Sequence, residues 1–356
     1  MSESLKWEEA ARVWRSRHPD PRGANPLRAQ GGATDLYAAL DLGTNNCRLL
    51  VARPAPDGFR VVDAFSRIVR LGEGLGQTGR LGSAAMGRTM RALRVCRDKI
   101  EGAQVRASRF VATEACRIAE NGPAFLDDVY AELGLDLEVI DRRTEAELAV
   151  NACQPLIDRS AAGVLLFDIG GGSTEIAWLE PVAPDRHAMK AWASLPFGVV
   201  NLSERFGGID VTPEIFAAMA NEVRARLPTF GVYDKIVQTV KTGSVHMMAT
   251  SGTATTLAGL HLGLRRYERG RVDGLWMPGA AVDGMIGALL AMNHEERCAS
   301  PCIGVTRAPF VLAGCAILQA LRDEWHIGPL RVADRGLREG ILRELMDQDA
   351  RAPQPA

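Results

Sequence analysis

The chain has no run of apolar residues approaching the roughly 18 that a membrane-spanning helix needs, so nothing in it reads as crossing a bilayer. It also lacks an excess of charge. A formal net charge of -1 gives no general attraction to nucleic acid or acidic membranes, and any polyanion has to be gripped by a local basic cleft. Paired C-x-x-C spacing is missing too. The seven cysteines (47, 96, 116, 153, 298, 302, 315) are scattered and odd in number, and only Cys298 and Cys302 are close, which reads as reduced thiols in a cytoplasm rather than a zinc site or a disulfide framework. His246, His261, His294 and His326 are well separated and read as structural. The first residues, SLKWEEAARVWRSRHPDPRGANPLRAQGGAT, contain no apolar stretch of the secretory kind. They read as a flexible arm over residues 1–34, with a short amphipathic helix from Trp7 to Trp14 as the alternative.

What is present is an ordinary globular composition, 47% hydrophobic and 24% charged over 356 residues, enough for about two domains. The order of patterns is that of an α/β protein. YAALDLGTNNCRLLVARP and the run after it predict an antiparallel meander; Ser83 to Glu101 carries apolar residues at helical spacing, followed by a strand at RFVAT and a helix through FLDDVYAEL. DLEVI reads as a strand and TEAELAVNACQPLI as a helix. At Gly163 the pattern restarts. GVLLFDIGGGSTEIAWLE repeats the strand, acid, glycine turn and strand of YAALDLGTNNCRLLVARP, with Asp41 and Asp168 127 residues apart. A duplication at that spacing implies two similar domains whose equivalent turns face one interdomain cleft. Helices follow at Pro213 to Leu227, Val232 to Thr242 and within RAPFVLAGCAILQALRDEW; LRVAD reads as a short strand, GLREGILRELM as a last helix and DQDARAPQPA as a frayed tail.

The turns carry the chemistry. Gly170, Gly171, Gly172, Ser173 and Thr174 form either a hairpin turn or a phosphate cradle, because consecutive glycines bring backbone N–H groups close to an anion, while Asp168 supplies the charge that holds magnesium. Thr44, Asn45 and Asn46 offer short donors in the first turn beside Asp41, its matching acid, with Gly43 counted among the phosphate-binding residues, and Arg48 lies on the face of Asn46 as a candidate phosphate clamp. Ser251, Gly252 and Thr253 open a helix, where unpaired N–H groups suit an anion.

DLGTNNCRLL, RLGEGL, ATEACRIAEN, DIGGGSTEI, SLPFGVVNLSERF, TSGTATTL and GLREGIL occur in the order and approximate spacing of the exopolyphosphatase and guanosine pentaphosphate phosphohydrolase family, over roughly Tyr37 to Met346. The chain resembles a short, two-domain member of that family. The resemblance implies two actin-like (ribonuclease H-like) domains, one over 35–152 completed by about 330–348 and one over 153–329, with residues 349–356 a tail. It also implies roles. Glu145 aligns with the general base, Asp168 and Asp41 help hold magnesium, Glu175 positions the attacking water, Arg117 lies near bound phosphate, and Arg307 stands where relatives place a nucleotide contact. A helix-start carboxylate for Glu145 and a surface arginine for Arg117 remain the plainer readings. Arg142, Arg143 and Thr144 stand where many relatives carry acids, which leaves substrate preference open.

The activity implied is magnesium-dependent release of terminal phosphate from inorganic polyphosphate, guanosine pentaphosphate or both, by water attack. A non-catalytic sensor of guanosine tetraphosphate or polyphosphate and a small-molecule kinase of the same superfamily are the alternatives. No nucleic-acid or membrane partner is expected, and a homodimer is left open.

Overall fold

The computed structural model describes residues 35–351 except 57 and 185; the expected N-terminal arm and the last five residues of the expected tail lie outside the described residues. The chain divides into two compact units, one running to Glu145 and resuming at Leu337, the other spanning Ala146–Gly336.

The first unit is a five-stranded sheet. Strands β1 (Tyr37–Leu42), β2 (Asn46–Ala55), β3 (Gly58–Ile68), β4 (Ala107–Ala112) and β5 (Glu138–Val139) lie in the order β3-β2-β1-β4-β5. The meander β1-β2-β3 is antiparallel, and β4 and β5 join in parallel. β1 is nearly all apolar because helices cover both of its faces. On one side packs α2 (Ser83–Ala103), which follows the single turn α1 (Leu75–Thr78). Its Ala85, Thr89, Ala92, Leu93, Cys96 and Ile100 recur at helical spacing and are buried. Beyond β4 come α3 (Glu114–Ile118) and α4 (Gly122–Leu133), the latter closed by Gly134 in the left-handed conformation. The helix after β5 is α5 (Arg142–Cys153), whose later residues belong to the second unit.

The second unit has a six-stranded sheet, β6 (Gly163–Ile169), β7 (Thr174–Ala183), β8 (Arg186–Leu195), β9 (Val245–Thr250), β10 (Trp276–Met277) and β11 (Leu330–Ala333), in the order β10-β11-β9-β6-β7-β8. One face carries the large core of Phe167, Trp178, Met219, Met247 and Trp325, built with helices α6 (Val199–Arg205), α7 (Pro213–Arg224), α8 (Tyr233–Thr242) and α9 (Gly252–His261). α10 (Arg269–Val272), α11 (Gly279–Ala291), α12 (His294–Ala299) and α13 (Val311–Trp325) complete it. Ala149, Val150 and Cys153 of α5 cover the other face, against Val164, Leu166, Ala177 and Leu179.

Strands β1, β2, β3 and β4 correspond in order and direction to β6, β7, β8 and β9. Several features depart from the sequence expectation, among them the unanticipated short elements α6, α10, α12 and β10. β8 and α11 were not anticipated, β8 because a bulge at Lys190 and a second register shift near its start break its alternation. β11 joins the second sheet, beside β9, although its position was expected in the first domain. The C-terminal helix α14 (Leu337–Arg351) packs on β1, β2 and β4 and continues past the expected start of the tail. Its end is tied down there: the Tyr37 hydroxyl donates to Asp349, which also pairs with Arg106. Among the described residues no helix is long and apolar enough to cross a membrane.

Candidate active site

The two glycine turns are built alike. In the first, Gly43 N–H donates to the Asn46 carbonyl at 2.9 Å, and in the second Gly170 N–H donates to the Ser173 carbonyl at 2.9 Å. Both glycine runs are therefore hairpin turns. A neighbouring segment consumes the carbonyls of each turn. Thr44 O accepts from Gly72 N–H and Asn45 O from Val69 and Arg70 N–H, while Gly170 O and Gly171 O accept from Val199 and Val200 N–H at 2.9 and 2.8 Å. Asn201 Nδ2 donates to Gly172 O at 2.8 Å. Among the described residues, the N–H groups of Thr44, Asn45, Gly171 and Gly172 have no protein acceptor.

The contact with the neighbouring segment is close enough to demand glycine. A Cβ on Gly198 would lie 2.3 Å from the Gly171 carbonyl carbon and 2.4 Å from Gly172 N. Gly72 is its counterpart, with a Cβ falling 2.4 Å from Thr44 Cγ2. RLGEGL and LPFGVV therefore do the same work in the two units, an equivalence that their letters conceal.

Next to each turn runs a row of polar side chains. Asp168 of β6 stands directly opposite Glu175 of β7, Glu175 opposite Ser194 of β8, and Asp168 beside Thr250 of β9. Glu175 is buried, 8% exposed, and its Oε1 accepts from Ser173 Oγ at 2.8 Å and Ser194 Oγ at 2.9 Å. In the first unit the same register sets Asp41 opposite Arg48, with Ser66 beyond. The duplication thus places an arginine where the other copy has a second acid.

Thr174 is a correction. It was expected on phosphate, but strand alternation turns it to the face opposite Glu175, where it is fully buried and its hydroxyl donates to Phe197 O at 2.6 Å.

Glu145 lies in the first turn of α5, whose start is capped by Asp141: the Thr144 N–H donates to Asp141 Oδ1 at 2.7 Å. Arg117 reaches it, Nη2 donating to Glu145 Oε2 at 3.4 Å. The resemblance put Arg117 near bound phosphate, with a surface arginine as the plainer reading; its side chain is 9% exposed, which excludes the surface reading, and it is engaged within the protein. Nη1 donates to Ile140 O at 2.5 Å, and Nε and Nη2 donate to Glu114 Oε2 at 3.1 and 2.5 Å. Glu114, which sequence reasoning missed, also accepts from Arg142, Nη2 at 2.5 Å and Nε at 3.2 Å. Burial alone would push the Glu114 carboxyl up, but hydrogen bonds from Arg142 and Arg117 outweigh it and hold the group below the usual carboxylate range. Its spacing three residues before Arg117 in one helical turn was the available signal.

The third expected anion site, at the start of α9, is strained. Ser251 adopts a φ of 116°, and among the described residues its buried hydroxyl finds no partner. Arg307 is exposed, lies across Gly252 and donates to Thr256 Oγ1 at 3.2 Å. Thr253 instead packs against Gly314 of α13, where a Cβ would lie 2.2 Å from its hydroxyl.

The magnesium expectation rests on Asp41 and Asp168. Among the described residues no group of three or more His, Cys, Asp or Glu is gathered for a metal. Magnesium retains waters and is commonly held by one or two carboxylates plus substrate phosphates, so the hard oxygens of Asp168, opposite Glu175, fit that ion.

Comparison with known proteins decides the family. The model of the Ppx/GppA phosphatase family matches residues 50–349. The chain belongs to that family. Exopolyphosphatase 2 of Mycobacterium tuberculosis is 29% identical over 330 residues, covering 88% of this chain and 99% of that protein. The guanosine-5'-triphosphate,3'-diphosphate pyrophosphatase of Aeromonas salmonicida is 29% identical over 325 residues, but this chain spans only 61% of its length. The crystal structure of the Aquifex aeolicus Ppx/GppA family member superposes with a TM-score of 0.75 at 27% identity, covering 89% of this chain and 99% of that one. This Ppx/GppA chain accordingly shares the α/β fold of that family member.

Proposed function

We propose that this chain releases terminal phosphate from inorganic polyphosphate or guanosine pentaphosphate, with magnesium and with Glu145 as general base. Its class, a hydrolase of phosphoric anhydrides, goes with its family. One observation carries the reading furthest: the turn at Gly170 to Ser173 offers free N–H donors beside the paired acids Asp168 and Glu175.

Phosphoanhydride hydrolysis needs charge neutralisation, an in-line water and a group that takes its proton. Magnesium, when bound at Asp168, supplies charge neutralisation on the phosphoryl oxygens. The Gly171 and Gly172 N–H groups are the donors for phosphoryl oxygens in the second unit, as the Thr44 and Asn45 N–H groups are in the first. Glu145 removes the proton of water as its oxygen bonds to the terminal phosphorus. The bridging P–O bond breaks, and the shortened substrate keeps that oxygen and the electron pair. Glu175, fixed by two serine hydroxyls, orients the water. We place the enzyme in the cytoplasm, in keeping with its seven free cysteines.

Phosphate release from polyphosphate, guanosine pentaphosphate and ATP, measured side by side, tests the reading. Release from either of the first two, exceeding that from ATP, is expected. Tight binding of guanosine tetraphosphate without release from any substrate would instead make the chain a sensor. In the same assay Asp168→Asn should keep the fold, since the amide preserves shape, while turnover drops and the magnesium needed for half-activity rises steeply. An unchanged magnesium titration removes Asp168 from the metal site.

A further inference from the structure

The cluster around Glu114 has the form of an anion site whose anion is already installed. Two guanidinium groups converge on one carboxylate, Arg117 through Nε and Nη2 and Arg142 through Nε and Nη2, with contacts between 2.5 and 3.2 Å. Arg142 forks across both oxygens, Nε to Oε2 and Nη2 to Oε1, while Arg117 sets both of its N–H groups on Oε2; a fork on two oxygens is the geometry with which arginine also takes phosphate. The two arginines differ in freedom: the Arg142 side chain is 44% exposed and that of Arg117 9%.

Helix energetics do not explain the arrangement. Arg142 and Arg143 occupy the first turn of α5, where the helix dipole disfavours cations. Burial does not require the pair either, since Arg142 would be solvated if Glu114 were neutral.

We propose that Glu114 is an intramolecular competitor of substrate phosphate, occupying Arg142 and Arg117 in the free protein and surrendering them to an incoming phosphoryl group. A polyphosphate oxyanion carries more charge and more acceptor oxygens than one carboxylate, so the exchange runs toward substrate. Short or weakly charged anions do not displace Glu114. The cluster thereby sets a threshold on substrate charge, and this rests on the phosphohydrolase reading above.

The test is calorimetric binding of tripolyphosphate and of long-chain polyphosphate to the full chain, with orthophosphate as the weakly charged probe. Glu114→Gln should bind tripolyphosphate at least about fivefold more tightly, the size of one partly exposed ion pair. The gain should be larger for orthophosphate, because the threshold is gone, and should shrink at high salt. Glu114→Gln/Arg142→Gln should lose most of it. Unchanged or weaker binding by folded Glu114→Gln overturns the proposal, as does a gain that survives loss of Arg142. Should Glu114→Gln fail to fold, Arg142→Gln alone decides: several-fold weaker tripolyphosphate binding is expected, and wild-type affinity overturns the idea. Failure of the phosphohydrolase reading looks different, as wild type would then release no phosphate from any substrate.

Discussion

Glu145→Gln is expected to lower turnover on polyphosphate or guanosine pentaphosphate by about 10²-fold or more, the usual effect of removing a general base. The amide keeps the length of the side chain and can still face Arg117 Nη2. Affinity should hold or improve slightly, because a negative charge near a polyanion has been removed. Single-turnover rates with binding isotherms on the same variant separate the two effects. Wild-type turnover would assign the base elsewhere, with Glu175 next in line, and would displace the alignment of α5.

Gly198→Ala should be nearly as damaging by a different route. The added Cβ would meet backbone atoms of Gly171 and Gly172 at 2.3 and 2.4 Å, and a backbone in a turn cannot swing aside as a side chain can. Overpacking of this kind costs about 1–3 kcal/mol, and here the strain falls on the glycine turn proposed to bind phosphate. We expect a lowered melting temperature together with weakened polyphosphate binding. Gly72→Ala is the internal control. Its Cβ would meet Thr44 Cγ2, the end of a side chain that can change rotamer, so its effect should be clearly smaller. Equal losses at the two positions would show that the turns are not held in the way described.

Much of this was legible in the sequence, and for a physical reason. DLGTNN and DIGGGS interrupt apolar runs with glycine and short polar groups, so both hairpins and their acids could be located from composition alone. The shared offset of 127 residues between Asp41 and Asp168 then carries through to Arg48 and Glu175, which occupy equivalent register positions. Contacts closed by the fold were out of reach. Thr174 looked like one more hydroxyl in a phosphate turn, and only the pleat of β7 sends it into the core. Glu114 was not singled out at all, because its partner Arg142 is 28 residues away and only the fold brings them together. The kinship of RLGEGL with LPFGVV was hidden because backbone proximity, rather than side-chain chemistry, is what the two segments have in common.

The occupied carbonyls of the two turns bear on when electrostatic work is done. A peptide unit between glycines rotates easily, and a loose turn meeting a phosphate would have to swing its dipoles round at every encounter, at a cost in reorganisation. With Thr44, Asn45, Gly170 and Gly171 carbonyls each bound from behind, rotation would break a hydrogen bond. The dipoles are therefore set once, during folding. On the proposed function, each turn would meet a phosphoryl group with its own field already aligned.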